Sequence, residues 1–335
     1  MMSVLAALGR RLLAAPAAGR FAIVDAARGT ALVAMALYHL TWDLGFLRLT
    51  PENAALTPAG RAAAHGIAGS FLVLVGVSLV LGQGKTFRPR PFLARIARIG
   101  TAAAVISLAT WIAFPESWIF FGILHCIALS SLLALPALRL PPWLVAGAAL
   151  AVLAAPAILA RSDAAPALLD APALLFLGLG RAVPSTNDYV PLFPWFGCVL
   201  AGICLARIGL PRLARSRLGA WRPSSRGGRI LAGAGRHSLA FYLVHQPVLL
   251  GLLSGVVVMT GPHPRAGEAS FLRDYRDNCA TAGGSPESCR VAARCLLGRL
   301  REEGLWQAAE QGALTEEQRA RAVALSQACF MEQAE

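Results

Sequence analysis

Residues 20–49 (RFAIVDAARGTALVAMALYHLTWDLGFLRL) join an apolar stretch to four side chains that can hold or move charge: Asp25, Arg28, His39 and Asp43. A guanidinium offers a rigid fork of donors to phosphate or carboxylate. A histidine takes and returns a proton near neutral pH. Asp43, one helical turn beyond His39, can orient that ring and stabilise its cation. At about 100° per residue, with Asp25 as zero, Arg28 falls at about −60°, His39 at about −40° and Asp43 back at zero. One face of one helix thus carries all four, and the other faces are Ala, Leu, Val and Ile. A charge at mid-bilayer costs about 2.5–3.5 kcal/mol. Such a helix is expected to turn its polar face toward protein or water. The competing arrangement puts Asp25 and Arg28 at one interface and Asp43 at the other, where snorkelling removes most of the cost.

Four further stretches carry chemistry-bearing residues. His65 stands just ahead of an apolar run whose segment SFLVLVGVSL (70–79) is rich in small residues and suited to close helix packing. FGILHCIALSSLLAL (121–135) holds His125, either a satisfied core histidine or a functional one. NDYVPLFPWFGCVLAGICL (187–205) opens with Asp188, Tyr189 and Trp195. Its aromatics suit a membrane interface, and Asp188 either faces an acceptor or is a solvated loop acid. GRHSLAFYLVHQPVLL (235–250) carries His245 two residues before Pro247, which frees backbone groups that a side chain or water must satisfy.

Arg28, ten residues and His39 within a first apolar helix resemble the Arg–His signature of the transmembrane acyltransferases. The string IVDAARGTALVAMALYHLTWDL is similar to the bacterial branch related to heparan-α-glucosaminide N-acetyltransferase. The Ser-Phe…Gly run, the His125 segment and the Gly-x-x-Ser-Leu…Tyr-Leu-x-His-x-Pro segment follow in the expected order, so the resemblance covers roughly residues 20–250. It implies an integral membrane acyltransferase that takes an acyl group, typically acetyl from acetyl-CoA, at the cytoplasmic side. The group passes to a sugar or glycan hydroxyl or amine on the far side. Arg28, Asp25 and His245 are then the residues expected to hold acyl-CoA, and His39, Asp43, His65 and His125 the catalytic candidates. In the lysosomal member of the family the catalytic histidine follows the first span in a lumenal loop, so His65 competes with His39. His39 acts either as general base or as acyl carrier.

The elements that must position these residues are membrane helices. The chain has 335 residues, 56% of them hydrophobic and only 15% charged, which is the composition of a polytopic membrane protein. The expected fold is an all-α bundle of about seven transmembrane helices with a small helical, disulfide-bonded C-terminal tail. The spans are expected near 22–42, 66–83, 96–114, 118–137, 142–160, 190–209 and 237–259. Leu168 to Gly180, broken by Pro172, is too short to span and reads as interfacial or re-entrant. This gives a basic arm at 1–20, an acyltransferase-like domain at 21–260 and a tail at 261–335.

The net charge of +13 does not point to nucleic acid, because the excess sits in short loops between apolar runs. One set of alternate loops holds 17 basic residues and the other set four: Arg48, Arg61, Arg161 and Arg181. The positive-inside rule places the N-terminus in the cytoplasm of a bacterial inner-membrane protein and, after seven spans, the tail outside. Cysteine usage agrees. Cys126, Cys198 and Cys204 lie within spans as small apolar fillers. Cys279, Cys289, Cys295 and Cys329 all lie in the tail, an even set that reads as two disulfides in an oxidising compartment. Cys279 and Cys289 flank a Gly-Gly-Ser-Pro turn, and antiparallel packing of two tail helices would bring Cys295 to Cys329. Thr315-Glu-Glu-Gln318 reads as a capping box opening the second of these helices.

No Walker loop, nucleophile elbow or metal-spaced cluster lies in a span, and no metal is expected. The alternatives are a proton-coupled carrier, since intramembrane His and Asp also mark proton relays, and a scaffold whose tail binds a periplasmic partner. A homodimer is compatible with either. For topology, a reporter active only in the periplasm is expected to work when fused after Glu335 and to be silent at Arg222. The reverse pattern overturns both the orientation and the disulfide reading.

Overall fold

The computed structural model describes residues 21–83, 86–161 and 167–331. The basic arm at 1–20 and Lys85 lie outside the described residues. Among the described residues all regular structure is helical: α1 Ala22–Phe46, α2 Pro58–Gln83, α3 Pro89–Ala113, α4 Ile123–Leu133, α5 Pro142–Arg161, α6 Leu192–Ala214, α7 Arg226–Arg236 and α8 Ser238–Thr260. The tail adds α9 Glu268–Thr281, α10 Pro286–Glu302 and α11 Glu316–Met331. Six of these, α1, α2, α3, α5, α6 and α8, are long and apolar enough to cross a membrane. The chain is a multi-pass membrane protein.

The expected fourth span is the exception. Its helix, α4, has 11 residues and at 1.5 Å per residue is only about 16 Å long. The reason is local. Gly122 is extended at the N-cap, and Pro136 opens a separate 3-10 turn beyond the last helical residues. The stretch ahead of Gly122 is drawn into loop pairing instead, with Asn187 N–H donating to Ser117 O and Val190 N–H to Phe121 O. Residues 167–180 form two 3-10 turns, Ala167–Asp170 and Pro172–Leu177, and no spanning helix. Gly178, at φ +74°, reverses the chain, and Asp170 Oδ1 takes the N–H groups of Arg181 and Ala182 at 2.6 and 2.8 Å.

The described residues divide into two compact units, one of those up to Leu37 together with those from Ala62 to Gln246, the other of Tyr38–Arg61 together with those from Pro247 onward. Tyr38–Arg61 thus groups with Pro247 onward. In the first unit Leu72, Val75 and Leu79 of α2 pack with Val145 and Ala149 of α5 and with Val199, Leu200 and Ile203 of α6. Buried Cys126 belongs to this core, as a small apolar filler would. The small-residue run of α2 has a definite use. A Cβ on Gly76 would collide with the Val199 carbonyl, and one on Gly202 with the Val73 carbonyl. The two backbones therefore touch, as close membrane helix crossings require.

In the second unit the tail is an ordered helical cap. Cys279–Cys289 and Cys295–Cys329 are both disulfide-bonded, the pairing expected from the sequence. Arg321, early in α11, pairs with Glu303, just past the end of α10, while Cys329, late in α11, meets Cys295 midway along α10, so the two helices run antiparallel. The capping box forms reciprocally: Thr315 N–H donates to Gln318 Oε1 and Gln318 N–H to Thr315 Oγ1. Leu296, Leu297, Leu300, Trp306 and Leu325 make the core, with Phe271 edge-on to Trp306.

Two glycines of α6 are expected to respond with opposite signs. Gly202→Ala forces carbon into a backbone contact and is expected to cost about 1–3 kcal/mol. Gly209→Ala meets nothing within 4 Å and is expected to gain about 0.5–1 kcal/mol from helix propensity. Thermal unfolding in detergent compares the two.

Candidate functional site

Asp25 and Arg28 sit one turn apart near the start of α1, both in the first unit. Arg28 Nη1 donates to Asp25 Oδ1 at 3.1 Å and to the Gly235 carbonyl at 3.3 Å. Arg28 Nη2 donates to Ser78 Oγ at 2.8 Å. Ser78 in turn gives its own proton to the Leu74 carbonyl one turn back, which leaves its lone pairs for the guanidinium. The α7 backbone can come this near only because of glycines. A Cβ on Gly235 would strike the Asp25 carbonyl, and one on Gly29 the Leu231 carbonyl. Asp25 is 7% exposed, and its Oδ2 is buried without a hydrogen-bond partner among the described residues. Arg95 of α3 adds a second positive charge to the field at Arg28.

His245, on α8, is buried. Its Nδ1 lies 2.7 Å from the Tyr242 carbonyl, so Nδ1 carries the proton, and the ring stacks on Phe241. The helix continues through Pro247, with the histidine serving a carbonyl of the preceding turn. His65 lies within α2, not in a loop ahead of it, because α2 starts at Pro58. The ring is exposed and stacks on Trp195 at 5.6 Å.

His125 belongs to a separate cluster. Gly122 N–H donates to its Nδ1 at 3.2 Å, so the proton is on Nε2, which lies 3.2 Å from Ser107 Oγ. Ser107 passes its own proton to the Ile119 carbonyl at 2.6 Å. Both ring nitrogens are thereby engaged in fixing the start of α4. Asp188 completes this start. Its Oδ2 accepts the Ile123 N–H at 2.9 Å, a carboxylate on a helix N-terminus. The carboxyl lies directly over Gly122, where any side chain would overlap it. Burial pushes the Asp188 carboxyl up to about 6, and the Ile123 hydrogen bond opposes only part of that rise. Tyr189 beside it donates its hydroxyl to the Leu175 carbonyl, and burial raises its pKa.

His39 and Asp43 occupy the part of α1 that belongs to the second unit. Asp43 is fully buried, and His39 is half-buried with its ring edge-on to Tyr38. The end of α1 is capped by Leu47 N–H to Asp43 O and Leu49 N–H to Leu44 O, with Arg48 in the left-handed region at φ 58°. Arg48 is held there by Glu310 of the tail at 2.7 Å, and its carbonyl accepts the His263 N–H. Thr41, Leu44, Thr50, Glu52, Arg265 and Ala269 line a cleft of about 420 Å³ nearby. Thr41 and Leu44 lie about 140–200° round α1 from His39, so that cleft opens away from the histidine's face.

The sequence reading missed Ser78, Ser107 and the Gly235 carbonyl. Ser78 stands inside the run read as packing, and its Gly-x-Ser spacing from Gly76 was the available signal. Among the described residues no group of three or more His, Cys, Asp or Glu is arranged to hold a metal.

A helical multi-pass membrane protein whose first helix carries a part-buried Asp25–Arg28 pair, met by Ser78 of α2, falls among membrane enzymes of the acetyltransferase type. The family described as heparan-alpha-glucosaminide N-acetyltransferase, catalytic, matches residues 20–247, well over half of the chain, and the chain belongs to that family. No curated protein and no solved structure matches it.

The raised pKa of Asp188 has a sign that can be tested. Below about pH 4 the carboxyl is protonated folded or unfolded; between about 4 and 6 only the unfolded chain ionises, so its contribution to stability is lost as pH rises to about 6. Asp188→Asn is therefore expected to match wild type in thermal unfolding at pH 4 and to exceed it at pH 7.5. An equal difference at both pH values contradicts the assignment.

Proposed function

We propose that this protein transfers an acyl group, acetyl from acetyl-CoA, to a hydroxyl or amine of a sugar or glycan on the extracytoplasmic side of the inner membrane. The family match carries the reading. The cluster at the start of α1 supports it: a part-buried guanidinium fixed from three sides, with a second arginine in its field, suits an anionic acyl donor. In this reading the N-terminus is cytoplasmic, the segment around α4 makes the seventh crossing, and the disulfide-bonded tail lies outside. The Arg-rich cytoplasmic loops draw CoA toward the donor end by its charge.

His39 is the general base. It takes the proton from the acceptor's O–H or N–H as the nucleophile attacks the thioester carbonyl. The C–S bond then breaks, and the sulfur leaves as a thiol with the proton that His39 returns. Asp43, one turn on, holds the ring and offsets its positive charge. His245 supports the donor end. His125, engaged at both nitrogens, positions the start of α4.

Purified protein in detergent with radiolabelled acetyl-CoA and amino-sugar acceptors tests this. His39→Ala is expected to lower kcat by about 10²–10⁴-fold with folding retained. Arg28→Ala is expected mainly to raise the KM for acetyl-CoA. Full kcat in His39→Ala with loss in His65→Ala transfers the catalytic role to His65. No acetyl transfer or thioester hydrolysis by the wild type overturns the reading and favours a carrier or a scaffold.

A further inference from the structure

The contacts at the start of α1 form a chain with one loose end. Ser78 gives its proton to Leu74, so it can only accept from Arg28. Arg28 Nη1 is bound by the Gly235 carbonyl and by Asp25 Oδ1. Asp25 is tied through Oδ1 to Arg28, and the α7 backbone lies against its main-chain carbonyl. What remains is Asp25 Oδ2, buried and without a hydrogen-bond partner among the described residues. A buried carboxylate oxygen held away from water is costly unless it meets a donor. Its charge is already countered by Arg28, so the fitting partner is a neutral N–H or O–H, not a second cation. The acyl donor of the proposed reaction carries such groups along its arm: the two amide N–H groups of pantetheine lie between the phosphates, which suit arginine, and the thioester.

The geometry points to Asp25 Oδ2 as the acceptor for a pantetheine amide N–H of the acyl donor, with Ser78 as a positioning residue that fixes it through Arg28. This rests on the proposed acetyl-CoA reaction and adds to it a recognition atom and a residue from α2. The small-residue run of α2 thereby has two parts: Gly76 lets α6 approach, and Ser78, half a turn on, faces Arg28.

The test measures binding of acetyl-CoA and of two analogues, each with one pantetheine amide N–H replaced by an ester oxygen, to the full-length protein. The variants are Asp25→Ala, Ser78→Ala and Ser78→Thr. Wild type is expected to bind one analogue about tenfold more weakly than acetyl-CoA, the worth of one charge-assisted hydrogen bond. Asp25→Ala should bind acetyl-CoA and that analogue equally. A merely structural Asp25 would weaken both ligands alike and keep the tenfold ratio, and that result overturns the proposal. So does a wild type that does not distinguish either analogue, since a water then serves Oδ2. Ser78→Ala should raise the KM for acetyl-CoA about tenfold with kcat within about twofold, and Ser78→Thr, which keeps the hydroxyl, should restore it; unchanged KM in Ser78→Ala overturns the positioning role. Failure of the underlying reaction reads differently, because wild type would then bind none of the three ligands.

Discussion

Arg28 sets the terms for the first unit. A guanidinium cannot be neutralised and cannot be left bare in an apolar bundle. It must therefore be met by acceptors from its own helix and from neighbours. Asp25 is one turn back on α1, Ser78 comes from α2, and the Gly235 carbonyl comes from α7. Removing one partner from a buried pair of this kind costs about 3–5 kcal/mol, because the other charge is left uncompensated. Three helices are thus tied at one point by hydrogen bonds that dispersion alone would not specify.

That tie imposes a second constraint, on side-chain size. The helix backbones around it are in near contact, with no room for a side chain between them. Gly29 and Gly235 provide this where α7 meets α1, and Gly76 and Gly202 where α2 meets α6. In lipid there is little hydrophobic gain from bringing two helices together. Close backbone packing and polar links carry the association. The abundance of small residues in this chain is then a packing requirement, not a compositional accident.

The tail solves a different problem. The family match ends at residue 247, and the soluble-type helices beyond α8 have few large apolar residues with which to build a core. One compact group around Trp306 and the leucines of α10 is reinforced by two disulfides, each worth about 2–4 kcal/mol in the unfolded-state account. The same unit clasps the turn after α1. Arg48 sits in a backbone region that disfavours side chains, and the Glu310 ion pair and the His263 N–H hold it there. A segment outside the family match therefore shapes the end of the helix that carries His39 and Asp43.

Much of this was written in the sequence. Apolar runs of membrane length located six long helices, because a bilayer admits few other solutions for the backbone. The 3.6-residue period put Asp25, Arg28, His39 and Asp43 on one face of α1, and the turn and capping signals in the tail fixed its disulfide pairing. Those are local properties, set by spacing along one element. Where local hydropathy competed with backbone pairing the helix is shorter than its apolar run: residues 118–122 are apolar, yet the loop at 187–190 takes the Ser117 and Phe121 carbonyls and α4 begins only after Gly122. Only the tertiary structure brought Ser78 to Arg28, Asp188 to the start of α4 and Ser107 to His125, since each joins residues on different elements, tens of positions apart in all but the last pair. Periodicity tells which way a side chain faces on its own helix; which group waits there depends on how the helices cross, and that was decided by glycine contacts and buried polar bonds acting together.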